Sequence, residues 1–296
     1  MRRKSIGDRA FSYINGLVLV LVAVVTLYPF LNVLAISFND AVDSMKGGIT
    51  IFPREFSYSS YVLILQHPQL YSATLMTLYR TVTGLVVSLF FTSMLAFVLS
   101  KRDLIGYKLI NGGFVVSMFL GAGLIPTFML YKQLQLTNTF LVYILPGTIG
   151  VFNMILMRNF FDTLPDSMEE SAKIDGANDL LIFFRIILPL SGPIVATVAL
   201  FLAVGQWNAW TDTLYFTSDP KLETLQYLLV KIIRQAEAMQ LTNTGRMRFQ
   251  LRAKGSVTSD SVKMAITIVT TVPILCVYPF VQRFFVKGMI IGAVKG

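Results

Sequence analysis

Long apolar runs separated by short polar stretches dominate the chain. Ala10 to Asn39 carries no carboxylate, lysine, arginine or histidine, and Ile14 to Ser37 within it is long enough to cross about 30 Å of hydrocarbon at 1.5 Å per residue. The same pattern predicts five further spans at Ala73–Ser100, Leu109–Tyr131, Leu136–Met157, Ile194–Phe216 and Met264–Phe285. These runs are about twice the length of a transmembrane strand and lack period-two alternation, which argues against a β-barrel. The pattern predicts an all-α membrane protein, one transmembrane domain over residues 1–296, with six helices and both termini on one side.

Two connections are long. In residues 158–193, Pro165 followed by Asp166, with Glu169 three residues on, resembles a capping box and predicts a helix from about Ser167 to Asp175. Gly176 supplies a left-handed C-terminal cap, and Asn178 caps a second helix, Asp179 to Ile187. The run Leu180 to Phe184 is apolar enough to lie along the inner membrane surface, and Pro189 and Pro193 end the segment. In residues 217–263, Leu228 to Met239 reads as a helix of mixed face, and Asn243-Thr244-Gly245 opens a turn-rich basic stretch.

Composition supports the membrane reading, with 54% hydrophobic and only 14% charged residues, too few polar groups to cover a soluble globule. Arg2, Arg3, Lys4 and Arg9 precede the first span. Lys101, Arg102 and Lys108 separate the second and third, and Arg283, Lys287 and Lys295 close the chain. The opposite short loops hold only Lys46, Arg54 and Lys132, so the positive-inside rule predicts cytoplasmic termini. Residues 217–263 are basic yet fall outside on this topology; long loops carry less weight in the rule. The basic start also suits a signal peptide, but its apolar stretch is too long for a signal core and five more spans follow. The net charge of +9 lies largely beside membrane ends, where anionic headgroups attract it, and needs no nucleic acid. One cysteine, Cys276, and one histidine, His67, exclude a disulfide framework and a cysteine/histidine metal site.

The 158–193 connection carries Asp162, Asp166, Glu169, Glu170, Asp175 and Asp179 against Arg158, Lys173 and Arg185. It is net acidic on a side where basic loops are the rule. A solvated charged helix is one reading. The placement of Met168, Ala172 and Ile174 favours a helix laid into a groove of another protein.

Glu170-Ser171-Ala172, the spacing to Gly176, and Ile186-Ile187-Leu188-Pro189 resemble the EAA loop of the membrane subunits of bacterial ABC importers. Arg158-Asn159-Phe160-Phe161 and Asp175-Gly176-Ala177 are similar to the carbohydrate branch, the group that includes the maltose importer's smaller membrane subunit. Further along, Tyr28-Pro29-Phe30, Leu145-Pro146-Gly147, Trp207-Asn208 and Gly292-Ala293-Val294-Lys295-Gly296 extend the likeness. Ser171 stands where the family has alanine.

The resemblance implies a type I ABC importer fold in the plasma membrane of a bacterium. It implies a coupling helix docking on an ATPase subunit, with Glu169, Glu170, Ser171, Ala172, Asp175, Gly176, Ala177, Ile186, Leu188 and Pro189 as coupling residues. Implied partners are a second, homologous permease subunit, two ATPase subunits and an extracytoplasmic solute-binding protein that touches residues 217–263. The cargo would be a saccharide. No Gly-x-x-x-x-Gly-Lys-Ser/Thr run occurs, so no cofactor is expected in this chain, and ATP and magnesium belong to the partner ATPase.

Polar groups inside spans are candidates for a translocation path. Trp207, Asn208, Trp210 and Asp212 combine aromatic faces for sugar rings with polar groups for hydroxyls; interfacial anchoring explains the tryptophans equally. Asn153 and Arg80 are the other candidates, against helix–helix hydrogen bonding and snorkelling. A secondary transporter would show charged pairs or broken helices at mid-membrane, and an intramembrane enzyme would need a nucleophile and base or metal ligands there.

Overall fold

The computed structural model describes residues 6–101, 103–242 and 257–293. Arg2, Arg3, Lys4, Arg102, the turn-rich stretch from Asn243 to Ser256 and the terminal Val294, Lys295 and Gly296 lie outside the described residues. The helices in chain order are α1 Ile6–Ser37, α2 Ala41–Ser44, α3 Ser59–Leu65, α4 Leu70–Val98, α5 Tyr107–Phe119, α6 Leu124–Gln133 and α7 Val151–Phe161. They continue with α8 Asp166–Ile174, α9 Asp179–Ile182, α10 Leu188–Leu190, α11 Gly192–Asn208, α12 Thr211–Phe216, α13 Leu225–Thr242 and α14 Ser259–Ala293. The nearest thing to strand pairing among the described residues is the isolated bridge between Asn39 and Phe56.

Among the described residues two helices are by themselves long and apolar enough to cross a membrane, Phe11–Ser37 and Leu70–Val98. Three bent pairs pass the same test together, each as one broken span. The predicted third span breaks between α5 and α6 with a bend of 118°. Pro126 lacks the N–H that would reach the Ala122 carbonyl, and its ring crowds that carbonyl. The predicted fourth span starts as two 3₁₀ turns, Phe140–Tyr143 and Leu145–Gly147, and bends by 45° into α7. Its Pro146 excludes a regular start. The predicted fifth span ends its first helix at Asn208 and resumes at Thr211. The predicted sixth lies inside α14.

Contacts divide the chain into two units, residues 1–70 with 229–273 and residues 71–228 with 274–296. In the first, the polypeptide leaving α1 folds around Asn39, whose amide donates to the Asp43 carboxylate at 3.0 Å while its carbonyl accepts from the Arg54 and Glu55 backbone N–H groups. Lys46 and Arg54 pair with the same carboxylate. The Asn39 hydrogen bond, aided by these two cations and opposed by burial, holds the Asp43 carboxyl below its ordinary range. Phe38 stacks on Phe56 and Tyr61, and the Tyr61 hydroxyl meets Ser37 at 2.8 Å. Thr258 and Ser261 cap α14 reciprocally, each side-chain oxygen accepting from the other's backbone N–H.

The second unit holds the main apolar core. Ala96, Phe97 and Leu99 at the end of α4 pack with Met154, Met157 and Phe161 of α7, Ile182, Phe183 and Ile187, and Val198 of α11. A smaller cluster forms around Val142, Tyr143 and Ile144. Leu180, Leu181 and Phe184 are exposed, but Ile182 and Phe183 are buried, so the second loop helix is partly core rather than wholly surface. After one α-turn it widens into a π-turn, Phe183–Ile187, and the chain turns by 85° at Ser191, between Pro189 and Pro193.

Candidate functional site

Helix α8 is built almost entirely by local sequence. It starts after Pro165, whose fixed φ suits a helix entry, and carries Asp166 and Glu169 in its first turn, where the dipole favours them. The predicted capping box does not form, because no side chain caps this end and Glu169 is engaged elsewhere. At the other end Gly176 has φ of +80°, its N–H bonds to the Lys173 carbonyl, and the Ala177 N–H bonds to the Ala172 carbonyl at 2.9 Å. That pair of bonds is a Schellman cap, and it needs a residue at ease in the left-handed region. Asn178 then caps α9, accepting from the Leu181 N–H at 2.8 Å.

The helix presents one face outward and rests the other on the core. Glu170, Ser171, Asp175 and Gly176 are exposed, and Ile174 is 86% exposed. Ala172 and Ala177 pack against the core, as do Leu188 and the neighbouring buried Ile187, whereas Pro189 is exposed and Ile186 half-buried. A cavity of about 610 Å³ lies between α8 and the residues after α4, lined by Lys101, Asp103, Asp162, Asp166, Glu169 and others. Across it Lys101 pairs with Glu169, while its ammonium lies 4.6 Å from the centre of the Phe97 ring. A second hollow of about 300 Å³ opens behind Gly176, lined by Ala172, Ala177, Leu181, Ile182, Arg185 and Ile186.

A separate polar knot lies along α4. Arg80 is 2% exposed and pairs with Asp212 through both terminal nitrogens, the longer contact being 3.0 Å. Its Nε donates to Gln206 at 2.8 Å, and Nη1 also donates to the Ala209 carbonyl at 3.3 Å. The guanidinium stacks 4.5 Å from the Tyr143 ring, and the Tyr143 hydroxyl donates to the Leu222 carbonyl at 2.7 Å. Gln206 reaches over Gly84, where an added Cβ would fall 2.7 Å from its Nε2, so a side chain at that position would displace the Gln206 amide. The break after Asn208 is therefore supported by a side chain that takes up a freed carbonyl.

Of the predicted path residues the structure brings Arg80 and Asp212 together and engages both with each other. Asn208 is exposed and accepts from Gln226 at 3.0 Å. Trp207 and Trp210 are half-buried, and Asn153, half-buried in α7, lies against Gly150. Sequence reasoning missed Lys101, which served only as a topology charge, and Tyr143, while Gln206 stood only as the first residue of the polar run that ends at Asp212. A lysine three residues beyond a buried apolar helix end was the available signal for the first, and an arginine inside a span requiring a counter-ion was the signal for the knot.

A family model described as "Binding-protein-dependent transport system inner membrane component" matches residues 71–291. The chain is similar to the polygalacturonan/rhamnogalacturonan transport system permease protein YtcP of Bacillus subtilis (strain 168), 38% identical over 289 residues, 98% of this chain and 99% of that protein. It is similar to the arabinooligosaccharides transport system permease protein AraQ of Halalkalibacterium halodurans, 26% identical over the whole of both chains. Among solved structures it resembles a chain of a bacterial ABC transporter involved in the import of the acidic polysaccharide alginate. That likeness has a TM-score of 0.79 and 29% identity, covering 96% of this chain and 100% of the other.

Proposed function

The chain belongs to the inner membrane component family of binding-protein-dependent transport systems, and from that premise we propose how its parts work in an oligosaccharide importer. It is a permease subunit, a transport component rather than an enzyme, and its relatives carry poly- and oligosaccharides. Its cargo is an oligosaccharide released from a larger polysaccharide and delivered by a solute-binding protein. A second, homologous permease chain and two ATPase chains complete the assembly in the plasma membrane of a bacterium. In this reading six spans put both termini on one side, the positive-inside rule makes that side and α8 cytoplasmic, and residues 217–263, α13 included, face the binding protein.

The observation that carries this reading is α8 itself. It is a capped, exposed helix seated on the core that joins α4, α7 and α11, so a force on its outer face reaches several spans at once. Glu170, Ser171, Asp175 and Gly176 form the face against the ATPase, Ala172, Ala177 and Leu188 seat the loop, and Ile186 and Pro189 flank that seat. The partner binds ATP and magnesium and supplies the hydrolytic chemistry. This chain contributes a rigid helix whose displacement rocks the spans and exposes a central path to each side in turn. Trp207, Asn208 and Trp210 are the residues that meet sugar rings and hydroxyls along that path.

The test is purification of the assembled complex in lipid nanodiscs, followed by ATP hydrolysis with binding protein and a panel of oligogalacturonides, alginate oligomers, arabino-oligosaccharides and maltodextrins. An ATPase chain that co-purifies and is stimulated by one class is the expected result. Saccharide uptake by this chain alone under an ion gradient would overturn it.

A further inference from the structure

We propose that Lys101 is a positioning residue that ties the docking helix to α4, and that Glu169 faces this internal anchor rather than the ATPase. The inference rests on the reading of α8 as the ATPase-docking helix and assigns the inner side of that helix, which the resemblance groups with the docking face.

Two elements meet at one ammonium group, and a third packs behind them. Lys101 pairs with Glu169 of α8, and its cation lies over the Phe97 ring at the end of α4. The Phe97 ring packs 5.4 Å from Phe183, in the π-turn that follows α9. The pair is sheltered, with side-chain exposures of 28% for Lys101 and 18% for Glu169, whereas Glu170 beside it is exposed. The other inward residue of α8, Ala172, contributes a single methyl to the core. A partly desolvated ion pair is directional where a methyl contact is not, and it resists both sliding and lifting of the helix.

The anchor sits at the end of a stiff element. α4 runs unbroken from Leu70 to Val98, and the 18 residue steps from Arg80 to Val98 span about 27 Å at helical rise. At Arg80 the same helix holds Asp212 and the Ala209 carbonyl at the break in the fifth span. Movement of α8 drawn through Lys101 therefore reaches that break along one rigid rod, rather than through the softer bend at Ser191.

The experiment compares Lys101→Met, Glu169→Gln, the conservative Lys101→Arg and the exchanged pair Lys101→Glu with Glu169→Lys in the reconstituted complex. The readouts are retained ATPase chain, saccharide-stimulated hydrolysis and cargo moved per ATP. The two neutral variants should keep the ATPase chain and lower cargo per ATP by about threefold or more. Lys101→Arg should hold the ratio near wild type, and the exchanged pair should regain at least half of the loss. The anchor is refuted by a neutral variant with an unchanged ratio, by Lys101→Arg behaving like Lys101→Met, or by Glu169→Gln shedding the ATPase chain while Lys101→Met retains it. A wild-type complex without an ATPase chain would instead refute the importer reading before any variant is compared.

Discussion

Arg80 shows how one residue decides what its surroundings do. Its guanidinium is almost fully removed from solvent, and its donors are taken by Asp212, Gln206 and Ala209. A buried pair is weak evidence of net stability, but removing Arg80 leaves the Asp212 carboxylate unpaired with 21% of its side chain exposed, at a cost below the roughly 3–5 kcal/mol of a fully buried charge. Arg80→Leu is therefore expected to lower the unfolding midpoint of the purified complex sharply, and Arg80→Leu with Asp212→Leu to recover much of the loss. Equal destabilisation by the single and double variants would show that Asp212 gains nothing from the pairing.

At the scale of the element, α8 depends on its C-terminal cap. Nothing lies within 4 Å of the position a Cβ would take at Gly176, so a substitution there meets only the conformational cost of φ at +80°. A β-branched residue should destabilise the cap by about 1–2 kcal/mol, and asparagine by less. Gly176→Val is expected to weaken saccharide-stimulated hydrolysis several-fold in the assembled complex while Gly176→Asn keeps most of it. Equal activities would remove the cap from the mechanism. The breaks in the predicted third and fourth spans have proline signals at Pro126 and Pro146, whereas the interruption at Ala209 and Trp210 has no local signal. It exists because Arg80 accepts the task of bonding the Ala209 carbonyl, and Arg80 is distant in sequence.

For the whole molecule, sidedness is the quantity that orders everything else. With Cys276 replaced by alanine, a cysteine at Asp175 should react with an impermeant thiol reagent added to inverted vesicles but not to intact cells, and one at Met45 with reagent added to intact cells but not to inverted vesicles. The reverse pattern would place α8 opposite any cytoplasmic ATPase. Both positions are exposed, which makes the reading a matter of side and not of burial.

Residues acting within a turn or two of their own position determined much by themselves. Apolar run lengths indicated a helical membrane protein, and Gly176 and Asn178 set the ends of the two loop helices. Those features rest on backbone geometry and short-range hydrogen bonds, which a linear pattern expresses directly. Tertiary structure alone decided where the fifth predicted span breaks, that Glu169 turns inward to Lys101 and that Arg80 meets Asp212. The last two pairs join positions 68 and 132 residues apart. A desolvated charge takes whichever opposite charge packing brings within reach, and that choice is made by the folded core rather than by neighbours along the chain.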